Sequence, residues 1–164
     1  MVVVIKDFSL LAGRQVLTAD DWEDLGTSLV TRIVDRTRNR GLDATNTPFV
    51  PYSAGYAARK AKEVGAGPVN LTLSGQMLND LRVVASTPSS CDLGFSTFGS
   101  GSSRGTLIQR SRSMGANDKA FYATEGAHGK IRNFLDLSDE DEQFLADAIE
   151  TLIGERLQAD EGVA

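Results

Sequence analysis

Cys91 and His128 are the only cysteine and the only histidine in the chain. Each could serve as a nucleophile, a base or a metal ligand. A working Cys–His pair needs the fold to bring the two within hydrogen-bond reach, and nothing in their spacing demands that. The expected roles are a structural thiol at a strand start and a turn histidine in Gly126-Ala127-His128-Gly129. One cysteine and one histidine cannot close a zinc site without carboxylates or a second chain, and a lone cysteine excludes an internal disulfide. Ser74, in Leu73-Ser74-Gly75, lacks the G-x-S-x-G frame of a nucleophile elbow. The stretch Gly99–Gly105 reads G-S-G-S-S-R-G without the Lys-Ser/Thr ending of a phosphate-binding loop. The acids Asp136, Asp139, Glu140, Asp141 and Glu142 lack calcium-loop spacing. They fit a capped, solvated helix start. Asn70-Leu71-Thr72 matches a glycosylation acceptor, but no secretory signal makes it usable. The expectation is a protein that is not an enzyme, with no cofactor and no metal.

Charge is the stronger signal. The 164 residues carry a formal net charge of −5. Asp136–Ala164 holds ten acids and one base, net −9, and the remainder is net +4. Arg32, Arg36, Arg38 and Arg40 form a basic run, and Arg59 and Lys60 add to it. Clustered cations are what phosphate contacts need. Yet Asp35 interrupts the run, cations suit a helix C-terminus, and the pI near 4.9 argues against broad nucleic-acid affinity. A DNA- or RNA-binding regulator using Arg32–Arg40 is the second reading. The first is complementary contact between copies, with the basic residues facing Asp139, Asp141 and Glu142 of a neighbour.

The elements that must carry these residues can be read along the chain. Length and composition fit one domain spanning 1–164, with an arm over about 1–17 and a flexible loop over about 99–118. No apolar run approaches the roughly 18 residues of a membrane span, and Met1–Phe8 lacks the marks of a signal peptide. Val2–Ile5 is a short strand or extended arm. Thr18 caps a helix over about 19–40, with Trp22, Leu25, Leu29 and Ile33 as its apolar stripe and Gly41 as its stop. Ser53 caps a second helix over 54–64. Met77, Leu78 and Leu81 mark a short third one. Arg82–Ser86 and Cys91–Phe98 make a β-hairpin across Thr87–Ser90. Gly115–Asp118 reads as a turn. Ser138 caps a last helix, which is expected to fray after Gln158. The fold class is α+β, an antiparallel sheet packed by a long N-terminal and a C-terminal helix.

The order of several short motifs resembles the virion morphogenesis, or tail completion, family of tailed bacteriophages, over about residues 19–157. The segment Pro48-Phe49-Val50-Pro51-Tyr52-Ser53 is followed by the basic helix Tyr56–Lys62. Next comes Leu71-Thr72-Leu73-Ser74-Gly75-Gln76-Met77-Leu78, then a hairpin. Tyr122-Ala123, His128-Gly129 and Arg132-Asn133-Phe134-Leu135-Asp136-Leu137-Ser138 complete the order. The stretch Thr97–Lys119 is longer and richer in Gly and Ser than the family pattern. The resemblance implies a tail-terminator-like fold and a ring of six or more copies in the virion neck. Its implied partners are the tail-tube protein and the head-connector proteins, with genomic DNA passing through the lumen and no membrane. Assembly would take place in the host cytoplasm.

Overall fold

The computed structural model describes residues 3–4, 17–67, 69–71, 76–95, 115–124 and 131–161. Helix α1 (Ala19–Asp35) continues into a wider π-helical turn over Arg36–Arg40. Helices α2 (Ala54–Val64), α3 (Gln76–Asp80), α4 (Ala116–Thr124) and α5 (Asp139–Glu161) follow. Strands β1 (Val3–Val4), β2 (Leu81–Thr87) and β3 (Ser90–Phe95) form an antiparallel sheet in the order β1-β3-β2. The class is α+β.

Local chemistry explains most boundaries. Thr18 and Asp21 form a reciprocal capping box, and the Tyr56 N–H donates to the Ser53 hydroxyl at 3.4 Å. Gly41 ends the π turn at φ 67°, a left-handed value that suits glycine. The expected single helix to residue 40 is therefore two segments, because the Gly41 N–H closes on the Arg36 carbonyl, five residues back.

The hairpin holds the register Leu81↔Phe95 and Val83↔Leu93, then shifts at a bulge so that Ala85 faces Asp92. Only Pro88 and Ser89 stand between the two strands, fewer than the four residues expected. Val3 and Val4 pair with Leu93 and Asp92 on the other edge of β3.

The core lies between α1 and the sheet. Trp22, Leu25, Leu29 and Ile33 are buried in one cluster with Leu81, Cys91, Leu93 and Phe95. Burial of each large apolar side chain contributes about 1.5–3 kcal/mol. Gly26 lets α1 approach closely: a Cβ there would lie 2.7 Å from Val83 Cγ2 and 2.9 Å from Cys91 Sγ. Phe134, Leu135, Leu145 and Ile149 extend the core towards α5.

Two expectations are corrected. Gly115–Asp118 opens helix α4 instead of forming a turn. Asn and Asp serve a helix N-terminus as readily as a turn, and Ala116 and Ala120 bury on the core. The last helix also continues past Gln158 to Glu161. The glycine-rich stretch 99–105, most of the loop at 99–118, the end of the second strand beyond Phe95, and residues 126–129 lie outside the described residues.

Candidate assembly interface

Helices α1 and α5 run antiparallel, and each clasps the start of the other. The α5 cap mirrors that of α1: the Asp141 N–H donates to the Ser138 hydroxyl at 3.2 Å, and the Ser138 N–H returns to Asp141 Oδ2 at 3.1 Å. Arg32 Nε donates to Asp141 Oδ1 at 2.9 Å, and Arg36 donates to Asp141 Oδ2. At the opposite end, Arg156 of α5 donates to both oxygens of Asp21, at 2.6 and 2.7 Å. A capping-box acid thus meets arginine from the far end of its partner helix, twice. Burial pushes the Asp141 carboxyl up. The two Ser138 hydrogen bonds, with Arg32 and Arg36, outweigh it and hold the group below its ordinary value.

Three members of the expected intersubunit charge set, Arg32, Arg36 and Asp141, are therefore paired with one another within the chain. Arg36 and Asp141 are buried together, and Arg36 also donates to the carbonyls of Phe134 and Asp136 at 3.0 and 2.8 Å. Asp141 does not belong to a solvated helix start. Lys60 is corrected too. It is 7% exposed, donates to Asn70 Oδ1 at 3.0 Å and stands 4.9 Å from the Tyr52 ring centre. Burial lowers its pKa.

Arg38 donates to Asn79 Oδ1 at 2.5 Å, and Arg40 reaches Glu140 at 3.4 Å. The cleft around this run, about 350 Å³, is lined by Arg32, Arg36 and Arg40 but equally by Asp35, Glu140 and Asp141. Such a mixed lining does not favour a polyanion. Arg59, Asp139 and Glu142 are exposed.

The motif residues meet in a second cluster. Phe49 is buried, and Pro48 bridges to Leu42. The Ala44 N–H donates to the Asn133 carbonyl at 2.9 Å, and Arg132 Nη2 donates to the Val50 carbonyl at 3.1 Å. Tyr52 meets Tyr56 as a tilted ring pair, centres 4.8 Å apart at 56°, with Arg132 5.2 Å from the Tyr52 ring centre. Burial raises the Tyr52 hydroxyl's pKa, and the charge of Tyr56 adds to this. Pro51 and Ser53 are exposed, with Ser53 capping α2. Leu78, Phe134 and Leu135 are core residues. Tyr122 lies on α4, while Gly75, His128 and Gly129 lie outside the described residues.

Sequence reasoning missed the Arg156–Asp21 pair and the role of Tyr56. The available signal for the first was two Ser/Thr-x-x-Asp boxes, each heading a helix with arginine near its far end. Cys91 is 1% exposed, and its thiol is pushed up to about 11 by burial, then by Asp92. Among the described residues, no group of three or more His, Cys, Asp or Glu could hold a metal ion, and no helix is long and apolar enough to cross a membrane. No protein-family model, curated protein or solved structure matches this chain.

Proposed function

We propose that this chain is a structural protein of the bacteriophage neck, a tail-terminator-like subunit whose ring completes the tail and joins it to the head connector. DNA would pass through the lumen, and the protein would reside in the virion after assembly in the host cytoplasm. One observation carries the reading. The Pro48–Ser53 segment and the Arg132–Ser138 run, about 80 residues apart in the motif order, converge through Arg132–Val50 and Arg132–Tyr52, with the Ala44–Asn133 hydrogen bond beside them. Motifs that matched only in order thus act as one structural unit. Exposed Val50 and Ile131, the latter 63% exposed, lie beside that unit and offer apolar area to a partner.

The test is the mass in solution by light scattering, for the chain alone and mixed with the tail-tube protein. A discrete cyclic species, alone or with the tube protein, is the expected result. A strict monomer in both, with no binding to tube or connector proteins, overturns the proposal. The nucleic-acid reading is disfavoured by the burial of Arg36 and the engagement of Arg32 with Asp141.

A further inference from the structure

We infer that the groove between α1 and α5 of one subunit receives helix α2 of a second copy of the same chain. This rests on the ring reading and names the contact that would build the ring. Among the described residues, α2 has only marginal contact with other helices and strands. Its inward edge is Tyr56, Lys60 and Glu63, and its other residues are exposed. At 100° per residue, implied by 3.6 residues per turn, Ala54, Ala58 and Ala61 face away from that edge. Lys62 lines one border of this outward face, with Arg59 farther round on the same side towards Glu63, and Val64, 44% exposed, lies on the other.

The groove has the complementary character. It encloses about 370 Å³ over a floor of Leu25, Phe144, Ala148 and Leu152, with Asp24 and Glu155 on its rim. The third rim acid, Asp21, is already engaged by Thr18 and Arg156. Asp24 and Glu155 make no hydrogen bond or ion pair among the described residues, and neither do Arg59 and Lys62. Two unpaired acids therefore border an apolar floor, and the exposed, unpaired Lys62 borders an outward helix face, with unpaired Arg59 on the same side of the helix. An amphipathic helix laid in an apolar groove is a recurrent mode of recognition, and the opposite charges would set its register. Helix and groove are different surfaces, so the contact is heterologous. Repeated by a closing rotation it makes a ring, and without closure a filament.

The test is a charge exchange read by light scattering and sedimentation at low and high salt. Arg59→Glu with Lys62→Glu gives one variant, and Asp24→Lys with Glu155→Lys gives the other. Each alone sets like charges across the contact and is expected to weaken association about 100-fold. Mixing the two restores opposite charges at both surfaces and is expected to restore assembly. All four positions are exposed, and an unchanged circular dichroism spectrum and urea midpoint check that each variant folds. If wild-type protein assembles and both variants still assemble equally well, the inference fails while the ring reading stands. If wild-type protein stays monomeric at every concentration and salt, alone and mixed with the tail-tube protein, both fail. Assembly lost in each variant but not regained on mixing also overturns the α2-in-groove contact.

Discussion

Arg36 and Asp141 stand 105 positions apart in the chain and form an ion pair in which each side chain is 4% exposed. Asp141 also closes the cap of α5, so one carboxylate starts that helix and fastens it to the end of α1. Breaking a buried pair leaves an uncompensated charge, which costs far more than loss of a surface pair. Arg36→Ala is therefore expected to destabilise the fold by about 3–5 kcal/mol, read by urea unfolding. Arg156→Ala at the other clasp, where the arginine is 38% exposed, should cost about 1 kcal/mol or less. Similar losses from the two variants would refute the contrast between a buried and a wet clasp.

The same carboxylate sets an acid limit. Its folded pKa lies below the ordinary 3.8, because hydrogen bonds and arginine outweigh burial. A carboxyl with a depressed folded pKa contributes stability above its unfolded pKa and loses it as the pH falls through the folded value. Asp141→Asn should thus be less stable than wild type at neutral pH. The gap should close in the acid region below about pH 4. Urea midpoints at successive pH values measure this, and a constant gap through that range would show that Asp141 does not titrate as described.

What could be read from sequence divides along the range of the interaction. The caps Thr18, Ser53 and Ser138 act on N–H groups three residues ahead, so each helix start was visible in a short window. The apolar stripe of α1 was equally local, as was the alternation of Leu93 and Phe95 on β3. Asp141 was legible as part of an acidic helix start but not as a buried ion-pair partner, because Arg36 comes from a distant segment. Lys60 has the same history: composition placed it on a basic surface, whereas Tyr52 and Asn70 enclose it. At Ala116–Thr124, Gly115 and the Asn117-Asp118 pair suggested a turn. Burial of Ala116 and Ala120 against the core favoured a helix. The motif order pointed to Pro48–Ser53 and Arg132–Ser138 separately, and only the fold joins them.

Glycines on the two long helices should respond in opposite ways to the same substitution. A Cβ at Gly26 would fall 2.7 Å from the β-branched Val83 side chain and 2.9 Å from Cys91 Sγ, so the helix must lift from the sheet. Gly26→Ala is expected to destabilise by about 1–3 kcal/mol. Gly154 lies inside α5 with nothing within 4 Å of a Cβ. Gly154→Ala is expected to stabilise by about 0.5–1 kcal/mol, through reduced backbone entropy in the unfolded chain. Thermal unfolding separates the two. A stable Gly26→Ala variant would mean that α1 does not sit this close to the hairpin.

Cys91 offers a direct probe of that contact. Its thiol is covered by α1 near Gly26. With the pKa pushed up to about 11, only about one thiol in a thousand is thiolate near pH 8, and the thiolate is the reactive form. Labelling by a disulfide reagent should therefore be negligible in the folded chain and should proceed only through opening of α1 from the sheet. The rate then follows the equilibrium between closed and open forms when reclosing is fast. Arg36→Ala loosens the far end of α1 from α5 and should raise the labelling rate by about 100-fold or more, in line with the stability loss expected above. In urea above the unfolding midpoint, both proteins should label at one common fast rate. Fast labelling of the wild-type chain without denaturant, unchanged by Arg36→Ala, would show that α1 does not seal the hairpin.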